Sequence, residues 1–128
     1  MNVANEQWLE IMGGINTAPL KELVLGCRNL QSCELSSIIH YLPITLEYLC
    51  LGWIEIDLKC LECLKILDTH ENLEEIEIGN CKVQNPEIFN IVVAFLQQMV
   101  QSSGKYWTFK RVCSSRDMPY TITNVSDR

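Results

Sequence analysis

The sequence predicts an α/β fold in which short parallel strands and helices alternate along one chain and stack, unit upon unit, into a solenoid. Three observations carry that expectation. An apolar pattern returns at intervals of 26 and 27 residues. Within each copy apolar residues alternate with others, the period-two signature of a half-buried strand. Between copies the apolar spacing lengthens to that of a helix packed along one stripe. The expected order is helix, strand, helix, strand, helix, strand, helix, and 128 residues suit one domain.

The strand motifs are LKELVLGC from Leu20, LEYLCLGW from Leu46 and LEEIEIGN from Leu73. Their first, fourth and sixth positions are apolar throughout: Leu20, Leu23 and Leu25; Leu46, Leu49 and Leu51; Leu73, Ile76 and Ile78. The seventh position is Gly26, Gly52 and Gly79, and the eleventh is Leu30, Ile56 and Val83. One such unit cannot bury its apolar side alone, whereas stacked units share a continuous core. Strands are therefore expected near 22–26, 48–52 and 75–79.

Leu35, Ile38, Ile39 and Leu42 lie at i, i+3, i+4 and i+7, and Pro43 ends that helix. Ile88, Ile91, Val92, Phe95, Leu96 and Met99 form a longer stripe, with Asn85-Pro86 as its cap and first turn. Trp8, Ile11, Met12 and Ile15 repeat the spacing ahead of the first strand, limited by Gly13-Gly14. The segment from Leu58 to Leu67 is apolar on more than one side and less distinct. Downstream, Trp107 and Phe109 alternate with Thr108 and Lys110, so 106–112 reads as a degenerate fourth strand or a terminal cap. The repeat domain is expected over 1–113, with 114–128 a flexible tail.

On these residues, L-x-x-L-x-L-x-x-[N/C]-x-L resembles the leucine-rich repeat, whose period spans the interval seen here. The copy at Leu73 fits best, with Cys81 at the asparagine/cysteine position; Arg28 and Ile54 occupy it in the other copies. The resemblance implies parallel strands on a concave face and helices on a convex face. The repeat is similar to the intracellular, cysteine-containing repeats of F-box/leucine-rich-repeat proteins. That implies a protein–protein interaction module, the substrate-recognition part of a ubiquitin-ligase adaptor. An inhibitor or scaffold, similar to ribonuclease-inhibitor-like repeats, is the alternative within the class.

Composition narrows the partners. The net charge is −6, unevenly spread: residues 1–100 hold 14 acidic and five basic side chains, and 101–128 hold two and five. An acidic body repels phosphate backbones, which argues against nucleic acid and for a protein partner with a basic or aromatic surface. No apolar run approaches the ~20 residues of a membrane span. The start, MNVANEQWLEIMGG, lacks the basic and apolar regions of a secretion signal. Seven cysteines without such a signal read as reduced thiols in cytoplasm or nucleus. The sequon at Asn124-Val125-Ser126 would not meet its enzyme there.

Alternation along the strands assigns the candidate binding face. If the fourth and sixth repeat positions point inward, the outward set holds Glu22, Val24, Tyr48, Cys50, Trp53, Glu75 and Glu77, together with Cys27, Asn80 and the three glycines. No lysine or arginine occurs among them. Tyr48 and Trp53 are the aromatic anchors, a residue type enriched at binding hot spots; Glu75 and Glu77 form an acidic edge. The glycine row would let another chain approach the backbone. The alternative is that Trp53 packs beneath the loop after the second strand and the glutamates are a solvated face.

Other chemistry has weaker support. Cys60-x-x-Cys63 lacks the second ligand pair of a zinc site, so no metal and no cofactor are expected. His40 sits near a helix end and His70 in the turn before the third strand, both read as structural or solvated. Glu71, Glu74, Glu75 and Glu77 imply no pocket, and no phosphate loop or nucleophile elbow is present. The reading is therefore not an enzyme; the competing class is a cysteine nucleophile, which requires one thiol of depressed pKa. Lys105, Lys110, Arg111 and Arg116 with Tyr106, Trp107 and Phe109 read as a cap with snorkelling basic side chains, in preference to a single-strand nucleic-acid site.

Overall fold

The computed structural model describes residues 20–26, 30, 32–114 and 119–124. Its elements run β1 (Glu22–Leu25), α1 (Ser32–Tyr41), β2 (Tyr48–Leu51), β3 (Ile54–Ile56), α2 (Leu58–Asp68), β4 (Glu75–Ile78), β5 (Cys81–Val83), α3 (Phe89–Ser102), β6 (Tyr106–Cys113) and β7 (Tyr120–Thr123). The expected helix around Trp8, Ile11, Met12 and Ile15 lies outside the described residues, as do Cys27 and Arg28.

The three strand motifs pair side by side and parallel. Leu23 stands beside Leu49, and Leu49 beside Ile76. β6 continues the row, with Trp107 beside Ile76 and Phe109 beside Ile78. A second set of short strands follows Gly52 and Gly79: β3 pairs with β5, and β5 with the last residues of β6. Leu30 joins this set by bridging Ile54, not Ile56, so the first unit takes seven steps from Leu23 to Leu30 where the second takes five from Leu49 to Ile54.

Alternation decides what is buried. Leu23, Leu25, Leu49, Leu51, Ile76, Ile78, Trp107 and Phe109 have no solvent exposure. They form one cluster with Leu35 and Ile38 of α1, Leu61, Leu64 and Leu67 of α2, and Val92, Leu96 and Val100 of α3. Each such aliphatic side chain contributes about 1.5–3 kcal/mol relative to an exposed one. Among the described residues the chain is thus α/β, its parallel strands sharing one core with three helices.

The local chemistry explains the element ends. Asp57 caps α2 by accepting a hydrogen bond from the Cys60 amide at 2.8 Å. Asn85 accepts from the Glu87 amide at 3.0 Å and Pro86 opens a 3-10 turn that leads into α3. In α3 the buried stripe is Val92, Leu96, Met99 and Val100, and Ile91 is 57% exposed, so the helix is rotated from the expected stripe. Leu58–Asp68, indistinct in the sequence, is a regular helix burying Cys60, Leu61, Cys63, Leu64 and Leu67.

The flexible tail expected over 114–128 is corrected in part. β7 pairs antiparallel with β6, with Ile122 opposite Phe109 and buried. Asn124 ties the pair down: its carboxamide oxygen accepts from the Trp107 amide at 2.9 Å and its nitrogen donates to the Lys105 carbonyl at 2.8 Å. The physical reason is the open ladder on the far edge of β6, which β7 occupies. The register shifts between Phe109 and Val112, where Arg111 takes a left-handed φ of 50°.

Candidate protein-binding face

Side chains between the inward positions point the other way and form two rows across the strands. The first row runs Glu22, Tyr48, Glu75, Tyr106, each beside the next in register. The second runs Val24, Cys50, Glu77, Thr108. Glu22, Val24 and Tyr106 are exposed and the other five half-buried, in contrast to the sealed residues between them. Six of the expected residues, Glu22, Val24, Tyr48, Cys50, Glu75 and Glu77, are therefore neighbours. Tyr106 and Thr108 complete the rows and were not assigned to the face from sequence. The alternation around Trp107 and Phe109 was the available signal; the 31-residue step from Glu75 to Tyr106, longer than the other intervals, hid it.

Trp53 falls outside both rows. It lies between β2 and β3, half-buried, and its indole nitrogen is shielded from solvent with no hydrogen-bond partner among the described residues. Its backbone carbonyl accepts from the Leu30 amide at 3.1 Å. Of the three glycines, Gly79 meets its own chain. A Cβ on Gly79 would stand 2.8 Å from the Gly52 carbonyl oxygen, so it is the neighbouring turn of this same chain that approaches the backbone closely. The Asn80 carboxamide donates to that same carbonyl at 3.3 Å.

A lysine does reach the face. Lys110 lies 3.2 Å from Glu77 Oε1, and the Cys50 thiol donates to Glu77 Oε2 at 3.5 Å. Burial, then the Glu77 carboxylate, pushes the Cys50 thiol up. Burial, followed by Cys50 and Glu77, likewise raises the Tyr48 phenol, so Tyr48 is a neutral phenol in a negative field. At the N-terminal ends of the strands Tyr48 and Tyr106 line a cleft of about 270 Å³. Its other walls are Glu22, Glu47, Glu74, Glu75 and Lys21, the last paired to Glu47 at 3.5 Å.

Burial raises the thiol pKa of Cys60 to about 12 and also raises those of Cys63 and Cys81. With Cys50 included, four thiols move away from the depressed value an activated thiolate needs. Among the described residues no group of three or more His, Cys, Asp or Glu is arranged to hold a metal ion. His40 is exposed and meets Tyr41 edge to face at 5.2 Å. His70 Nε2 lies 3.1 Å from the Pro43 carbonyl, and burial lowers its pKa.

The basic cluster divides. The Lys105 ammonium donates to the His70 and Leu73 carbonyls, each at 2.5 Å. Trp107 is sealed, its indole donating to Asp68 Oδ1 at 2.8 Å. Among the described residues no helix is long and apolar enough to cross a membrane. Compared with protein families, curated proteins and solved structures, the chain matches none.

Proposed function

We propose that the chain is a protein-binding module, a short leucine-rich-repeat solenoid that recognises a partner through the exposed side of its parallel strands. The supporting observation is the uncovered face itself. Parallel sheets ordinarily bury both faces; here one face seals Leu23, Leu49, Ile76 and Trp107 completely, while Val24 and Tyr106 on the other are 39% and 40% exposed. A concave strand face left open in this way is the surface solenoids use for binding. The coincidence of the 26- and 27-residue sequence intervals with strand neighbours supports the repeat reading. Substrate recognition for a ubiquitin ligase rests on the resemblance of the repeats to the F-box/leucine-rich-repeat type.

The test is affinity capture with matched variants. Val24→Arg and Tyr48→Ala alter the strand face; Ile66→Arg, at a residue 57% exposed on α2, alters the helical side. Partners held by the wild type should be lost from both face variants and retained by Ile66→Arg, with all melting curves alike. Capture indifferent to the face variants would reject the reading.

A further inference from the structure

We propose that His70 is an acid-opened latch between the turns ahead of β2 and β4: a proton taken up on its buried ring nitrogen drives the imidazole from its seat and parts the two turns. The device goes beyond the reading of the exposed strand face and does not depend on it.

The turns that lead into the parallel strands are tied to one another by side chains that hold backbone carbonyls. Thr45, ahead of β2, donates to the Leu20 carbonyl ahead of β1 at 2.7 Å. His70 and Asn72, ahead of β4, reach back to the Pro43 and Ile44 carbonyls at 3.1 and 2.6 Å. Lys105, ahead of β6, donates to the His70 and Leu73 carbonyls. A hydroxyl and a carboxamide do not titrate, and lysine stays charged. Among these tethers only the imidazole changes charge between about pH 5 and 8.

The seat suits the neutral ring. A carbonyl only accepts, so Nε2 carries the hydrogen given to Pro43 and Nδ1 carries the lone pair. Nδ1 is sealed from solvent and has no hydrogen-bond partner among the described residues. A proton there creates a buried cation with an N–H that nothing accepts. The surrounding groups divide. Burial opposes the imidazolium most strongly, the Pro43 carbonyl favours it, Lys105 from the linker ahead of β6 opposes it, and Glu71 on the same turn favours it. Residues 43–46, ahead of β2, carry no charged side chain. Asp68, at the end of α2, is engaged by Trp107 and Ser103. The balance lowers the pKa, so the protonated ring is better placed in water. Its departure leaves no orphan behind, because the Pro43 carbonyl keeps the Leu46 amide at 3.1 Å. The joint can therefore open without unfolding the core.

The test uses nuclear magnetic resonance of the intact protein between pH 7.5 and 5.5. Imidazole nitrogen shifts at pH 7.5 should show the hydrogen on Nε2, and the ring should titrate below its ordinary 6.5. Opening is read from hydrogen exchange at the Glu74 amide, which donates to the Glu47 carbonyl across the joint at 2.9 Å. After correction for intrinsic rates, exchange there should be faster than global unfolding allows and insensitive to low urea. It should accelerate about threefold or more on going from pH 7.5 to 5.5. His70→Gln keeps a donor for Pro43 and cannot titrate, so its Glu74 exchange should be independent of pH. A hydrogen on Nδ1 at pH 7.5, a midpoint at or above 6.5, Glu74 exchange that tracks global unfolding and rises with urea, or equal acid acceleration in His70→Gln would overturn the proposal.

Discussion

Replacing Gly79 by alanine isolates a single backbone contact. The added Cβ would sit 2.8 Å from the Gly52 carbonyl oxygen and 3.6 Å from that of Leu51. Both oxygens belong to backbone: the Gly79 amide donates to Leu51 O at 2.8 Å, so the neighbouring turn cannot recede without lengthening that bond. Gly79 has no positive φ, so dihedral strain does not enter. Overpacking of this kind costs about 1–3 kcal/mol. Restricting the unfolded chain returns about 0.4–1 kcal/mol. The expected net loss is about 1–2 kcal/mol, or roughly 3–10 °C in Tm for a chain of this length. Gly104→Ala is the matched control, because a Cβ there meets nothing within 4 Å. Urea unfolding followed by tryptophan fluorescence measures both. A Gly79→Ala protein as stable as the Gly104→Ala protein would refute the close approach of the two turns and the stacking it represents.

Other outcomes follow from the same structure. Leu49→Ala empties a fully buried site between two strands and should cost about 2–5 kcal/mol by thermal or urea unfolding. Trp107→Phe leaves Asp68 and Ser103 without the indole donor they share at 2.8 and 3.2 Å, a loss of about 1–3 kcal/mol read from the same transition. Arg111→Gly relieves the left-handed φ of 50° and should stabilise by up to about 1 kcal/mol, whereas Arg111→Val should destabilise; differential scanning calorimetry separates them. The His70 pKa lies below its ordinary 6.5 in the folded chain, because burial disfavours the imidazolium. The unfolded state therefore binds the proton more readily, and the stability His70 contributes is intact above pH 6.5 and falls as pH drops through 6.5 toward the lower folded value. Unfolding free energies measured from pH 7.5 to 5.5 should decline more for the wild type than for His70→Gln.

Much of the architecture was legible because it is written in local periods. The intervals between Leu20, Leu46 and Leu73 match the parallel neighbours found, and period two correctly divides Leu23 and Leu25 from Glu22 and Val24. The stripe of α1 was equally plain, with Leu35, Ile38 and Leu42 buried. The candidate face was legible as far as Glu77, since alternation alone assigns it. Trp53 escaped that rule because it lies between β2 and β3, where period two lapses.

Sequence by itself determined that the segments around Leu23, Leu49 and Ile76 form strands and which side of each is apolar, because those follow from side-chain spacing along a few residues, whereas the short β3, β5 and β7 carry no such signal. Only the tertiary structure decided what adjoins them. The longer step to Tyr106 carries β6 into line, and its aromatic residues replace leucine at the inward positions. β7 closes the edge of β6 through pairing that no spacing encodes. The glycine at position 79 is explained only when it meets the carbonyl of Gly52, 27 residues away in the chain and in contact in space. Contacts between units depend on register across strands, and register is a property of the assembled sheet rather than of any one segment.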